Sequence, residues 1–169
     1  AGEGGRVKAA RWNSCTVMEL APDARRLWQF GAGKDKVTKG VQLKLPIEKA
    51  PPAKLVRKDW SELISPRLNI GLLPSHQVFL RAIQLPAGEA SELAGLVEFQ
   101  LEKVSPAPVN QIVWTAESIP HPDGKQQTAI VAIAERGPVE QFLGRLETDG
   151  FVADRLEIPL LREFRAAPA

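Results

Sequence analysis

"QVFLRAIQLPAGEASELAGLVEFQLEKV" (77–104) changes period halfway along. Residues 77–86 have strand chemistry and end on a proline. Over 89–104, Leu93, Leu96, Val97, Leu101 and Val104 recur at helical spacing and form one apolar stripe. Going outward to the C-terminus, the pattern repeats. "NQIVWTAESI" (110–119) reads as a strand, "PHPDGK" as a turn and "QTAIVAIAE" (127–135) as a second strand. "PVEQFLGRLETDG" (138–150) reads as a helix with Pro138 in its first turn, Val139, Phe142, Leu143 and Leu146 inside, and Gly150 as its stop. "FVADRLEIPL" (151–160) reads as the last strand. Strand-helix-strand twice, with a hairpin between, is the ferredoxin-like βαββαβ arrangement. It predicts a four-stranded sheet over 77–162 with both helices on one face, followed by a tail, 163–169.

Toward the N-terminus the elements are different. "RWNSCTVMELA" (11–21), "RRLWQFGAGK" (25–34) and "GVQLKLP" (40–46) read as a three-stranded meander, with Cys15, Val17 and Met18 inside. "IEKAPPA" is a connector. A helix is expected over 53–65, because Val56, Trp60, Leu63 and Ile64 fall on one stripe, and Pro66 stops it. "NIGLLP" (69–74) reads as a short buried strand. The fold class is therefore α+β, with a lobe over 1–76 and a ferredoxin-like unit over 77–162.

Charge divides the same way. Residues 1–76 carry 14 Lys and Arg against 7 Asp and Glu, whereas 77–169 carry 8 against 13. Opposite signs suggest two modules with different surroundings. The basic residues are scattered rather than clustered, which reads as a solvated surface. One cysteine rules out a disulfide within the chain, and two histidines in turns leave no metal-ligand spacing. No run of about 18 apolar residues exists to span a bilayer.

The search for chemistry starts at "WQFGAGKDK" (28–36). A Walker loop with Lys34 as its lysine needs glycine at 28 and a hydroxyl at 35, but Trp28 and Asp35 stand there. Strand chemistry follows where a helix should, so the stretch reads as a hairpin turn. Ser14 and Cys15 have no histidine base nearby in sequence, and the four tryptophans read as core. Glu98 and Glu102 share a helix face, which a solvated surface explains. "QTAIVAIAE" has no aromatic to stack a base, and its half of the chain is acidic; nucleic acid is not an expected partner.

Three stretches, "LLPSHQVFLRAIQLP", "ELAGLVEFQLEKVSPAP" and "QTAIVAIAERGPVEQFLGRLETDGF", taken in order over about residues 68–160, resemble the actin-like assembly proteins of type IV pili and type II secretion. These are the PilM family and its relative GspL. The resemblance implies a partial actin-like (ribonuclease-H-like) lobe of three strands, a helix and a strand, with the ferredoxin-like subdomain inserted after it. ATP-binding members carry D-x-G and hydroxyls a few positions before "V-x-E-L". Counting back from "VMEL" (17–20), the Asp falls on Ala9 and the Gly on Arg11, with Asn13 and Ser14 among the hydroxyls. The carboxylate is missing and a side chain fills the bare position, so the phosphate loop is degenerate and no catalytic residue, cofactor or metal is expected.

The resemblance then implies a non-catalytic scaffold at the cytoplasmic face of a bacterial inner membrane. Its partners would be the short cytoplasmic tail of a pilus or secretion membrane protein, a motor ATPase, or both. It would touch the membrane only through a partner or a further segment, and a homodimer is compatible with it. Arg11, Trp12 and Trp28 are the partner-binding candidates beside the loop. Two alternatives stay open: an actin-like ATP-binding protein completed by further sequence, and an unrelated ferredoxin-like binding domain or enzyme.

Overall fold

The computed structural model describes residues 12–32 and 37–159. Two sheets organise them. A five-stranded sheet has the order β3-β2-β1-β4-β8, and a three-stranded sheet the order β5-β7-β6. The chain divides into two compact units. Among the described residues, one comprises those from 12 to Gly71 together with Leu146–Arg155, the other Leu72–Arg145 together with 156–159.

The meander of the first unit is present as β1 (Ser14–Leu20), β2 (Ala24–Ala32) and β3 (Val37–Pro46). Both pairings are antiparallel, with Met18 opposite Leu27 and Leu27 opposite Leu43. Met18 and Leu27 are buried, as alternation along a half-buried strand requires. The β2–β3 register slips between Trp28 and Phe30. Gly40 lies at this bulge, and a Cβ there would sit 3.2 Å from the Gln29 carbonyl oxygen. Ala32 pairs with Val37, so the paired strands flank 33–36, which lie outside the described residues.

The helix expected over 53–65 is not one helix. Residues Ala53–Val56 form a single turn, α1, and Trp60–Leu63 a separate 3₁₀ turn. The break lies at Arg57–Asp59. Arg57 is extended, and the Asp59 carboxylate accepts from the Ser61 N–H and hydroxyl, starting a new turn there. Of the expected stripe only Val56 is buried. Trp60 is exposed, and Trp12, Trp28 and Trp114 are half-buried, so the tryptophans are not core residues. β4 (Arg67–Leu72) follows.

In the second unit, β5 (Phe79–Pro86), α2 (Ala90–Val104), β6 (Ile112–Pro120) and β7 (Gln126–Glu135) fall where periodicity places them. α2 begins at a reciprocal capping box between Glu89 and Glu92. Its Leu93, Val97 and Leu101 pack on Ile83, Leu85, Ile112 and the β7 residues Ala129, Val131 and Ile133.

Two details of the expected insert are corrected. α3 (Arg136–Thr148) does not join α2 on one face. Its Val139 lines a cavity with Val113, Ala132 and Ala134, which alternate with the residues facing α2. The last strand, β8 (Arg155–Glu157), is also absent from the three-stranded sheet and instead lies beside β4. Asp154 N–H donates to the Asn69 carbonyl and Leu73 N–H to the Glu157 carbonyl, a near-constant offset that sets β4 and β8 running the same way.

α3 ends in a Schellman motif. Gly150 has φ +81°, its N–H donates to the Glu147 carbonyl, and Phe151 N–H donates to the Leu146 carbonyl. A Cβ on Gly150 would also meet Arg57 Cγ and Nε at 3.0 Å. Gly150→Ala is therefore expected to cost about 1–2 kcal/mol in urea denaturation. A loss below a few tenths would mean the cap relaxes freely.

Candidate functional site

Residues at the start of β1 and β4 form a polar chain within the first unit. Asn13 N–H donates to the Pro66 carbonyl (2.8 Å) and its side-chain amide to Ser65 Oγ (3.2 Å). Lys58 Nζ lies 5.7 Å from the centre of the Trp12 ring and donates to Asp154 Oδ2 at 2.6 Å. The same oxygen accepts the Asn69 N–H at 2.8 Å, while the Asn69 amide donates to the Val152 carbonyl at 3.0 Å. A buried asparagine thus fixes an aspartate, which fixes a lysine over an aromatic face. This arrangement offers no nucleophile paired with a base.

Of the residues counted back from "VMEL", Ala9 and Arg11 lie outside the described residues. Asn13 precedes β1 and Ser14 opens it. The turn between β1 and β2 is Ala21–Asp23, where Ala21 N–H donates to the Ala24 carbonyl. That turn follows "VMEL", so it is not the loop counted back from it. The only carboxylate within β1 is Glu19, which is paired with Arg26 at 2.9 Å. Trp28 pairs with Val17, about 10 Å of strand from Ser14, so the structure does not gather it with Trp12 and Asn13.

Other candidates from the sequence are dispersed. Glu98 and Glu102 are exposed on α2, and Cys15 is half-buried opposite Phe30. His76 is exposed, and His121 Nε2 lies 2.8 Å from Thr128 Oγ1. Among the described residues no three metal-ligating side chains cluster, and no helix is long and apolar enough to cross a membrane.

Two features escaped the sequence reading. Within the second unit an apolar cavity of about 140 Å³ opens on the face of the three-stranded sheet away from α2, lined by Leu73, Val113, Ala132, Val139 and Ile158. In the first unit, Trp60, Leu63 and Ile64 project from the 3₁₀ turn. The signal for the second was Asp59 two residues before Ser61, a spacing that favours a local cap over continuation of the helix.

No protein-family model and no curated protein matches the sequence. Solved structures do match. A chain of the PilM-PilN type IV pilus biogenesis complex superposes with a TM-score of 0.66 at 19% identity, over 89% of this chain and 49% of that one. The cytoplasmic domain of EpsL, an inner-membrane component of the Vibrio cholerae type II secretion system, superposes with a TM-score of 0.54 at 15% identity, over 92% of this chain and 60% of that one. The chain therefore spans only about half the length of these proteins. It is an α+β chain that shares its fold with these pilus and secretion structures.

Proposed function

We propose that the chain is a non-catalytic scaffold module of a bacterial type IV pilus or type II secretion assembly platform, working at the cytoplasmic face of the inner membrane. Its partners in this reading are the short cytoplasmic tail of a pilus or secretion membrane protein, a motor ATPase, or both. The fold shared with a chain of the PilM-PilN complex and with EpsL supports the setting. What supports the non-catalytic part is the stretch before "VMEL" (17–20), where Ala9 and Arg11 stand at the places of the Asp and Gly that ATP-binding members carry.

A thermal shift assay tests this. A ligand present at a hundred times its Kd stabilises by about 2.7 kcal/mol, which for a chain of this size is a rise of roughly 5–10 °C. Mg·ATP is expected to give no rise, and a synthetic tail peptide is expected to give one. A clear rise with Mg·ATP favours the second reading, an ATP-binding protein completed by further sequence. The half-length match to the neighbours gives that reading its one support.

A further inference from the structure

We propose that the 3₁₀ turn at Trp60–Leu63 is a membrane-contact loop that seats on an anionic lipid bilayer. Trp60, Leu63 and Ile64 are 75%, 89% and 76% exposed, so three large apolar side chains project from one short turn with little protein around them. Isolated exposed apolar residues are ordinary, but three together mark a contact surface.

The turn's backbone points to lipid. Its N–H groups are largely satisfied from within. Ser61 donates to Asp59 Oδ1, Glu62 to the Asp59 carbonyl, Ile64 and Ser65 to the Ser61 carbonyl, and Arg67 to Glu62 Oε2. Pro66 has no N–H. Such a turn can enter the headgroup layer without stranding these donors where water is scarce. Tryptophan favours that depth, with its ring in the acyl boundary and its indole N–H among headgroups.

Charge supports the same partner. Lys54, Arg57 and Lys58 are all exposed in the segment that leads into the turn. Between 53 and 67 there are four basic residues and two acidic ones. Both acidic groups are occupied: Asp59 by Ser61, and Glu62 by the Arg67 N–H and, at 3.6 Å, the Arg67 guanidinium. Lys58 is shared with Asp154 and Trp12, which leaves Lys54 and Arg57 as the principal cations for lipid phosphates. A basic flank beside an apolar tip is the pattern of an interfacial anchor.

The inference does not rest on the scaffold reading. The chain is sedimented with vesicles rich in phosphatidylglycerol and with vesicles of phosphatidylcholine alone. Binding is expected only to the former, weakening as salt rises. Trp60→Ser/Leu63→Ser/Ile64→Ser is expected to lower partitioning about tenfold or more, and Lys54→Glu/Arg57→Glu to lower it severalfold. These side chains are exposed, so both variants should melt like the parent. Trp60→Phe supplies a readout that needs no disruptive change. It should keep binding while losing most of the tryptophan quenching by brominated lipid. Absence of vesicle binding, equal binding by the triple variant, or quenching unchanged in Trp60→Phe overturns the proposal. A concentration-dependent dimer that ignores vesicles and is lost in the triple variant overturns it in favour of a second copy. None of these outcomes alters the result expected with the tail peptide.

Discussion

Arg25→Ala is expected to destabilise the protein by about 3–5 kcal/mol, seen in urea denaturation as an early midpoint. Arg25 Nε donates to Asp149 Oδ2 at 2.6 Å and Nη2 to Oδ1 at 2.9 Å. This fork-on-fork contact joins residues 124 apart in sequence. The side chains are only 16% and 6% exposed, so water screens the pair weakly. Removing the guanidinium leaves a nearly buried carboxylate without its counter-charge, which costs more than the pair itself contributes. Arg25→Met/Asp149→Leu should therefore recover much of the loss, because neither charge is then stranded. A loss under 1 kcal/mol in the single variant, or a double variant no better than the single, would show that the carboxylate finds water.

Leu101→Ala is expected to cost about 2–5 kcal/mol. Leu101 is fully buried on α2 against the three-stranded sheet, among Val97, Ile83, Ile112 and Val131. Those neighbours sit on a helix and a paired sheet, elements that close poorly around a missing isobutyl group. Phe99→Ala, two residues away, is the matched control. Its side chain is 80% exposed and its removal should stay within about 0.5 kcal/mol of the parent. Equal losses from the two variants would place α2 in a different rotation from the one described.

The contrast between α2 and residues 53–65 explains what could be read from the chain. Both showed an apolar stripe. In α2 the stripe agreed with a capping box and lay beside strands that needed a cover, so every level pointed the same way. In 53–65 the hydrogen bonds of Asp59 with Ser61 outweighed a helix of three turns, and the stripe went to solvent. Periodicity reports that a residue is apolar in phase; it does not report what lies opposite. β8 is the same lesson at longer range. Arg155–Glu157 was legible as a strand, but its neighbour was fixed by Asp154 meeting Asn69, 85 residues upstream. The polar chain from Asn69 through Asp154 and Lys58 to Trp12 was illegible for that reason, since no local pattern joins its members.

The first unit is sewn from two pieces of chain, with Leu72–Arg145 spun out between them. During synthesis the intervening unit is nearly all available before Leu146–Arg155 leaves the ribosome, and at about 5–20 residues per second the earlier piece waits seconds for its closing segment. Throughout that interval the β4 edge has no β8 beside it and Arg25 no carboxylate to meet. A nascent chain stalled near residue 145 should thus carry an exposed, adhesive sheet margin, the stage at which a chaperone would be needed most.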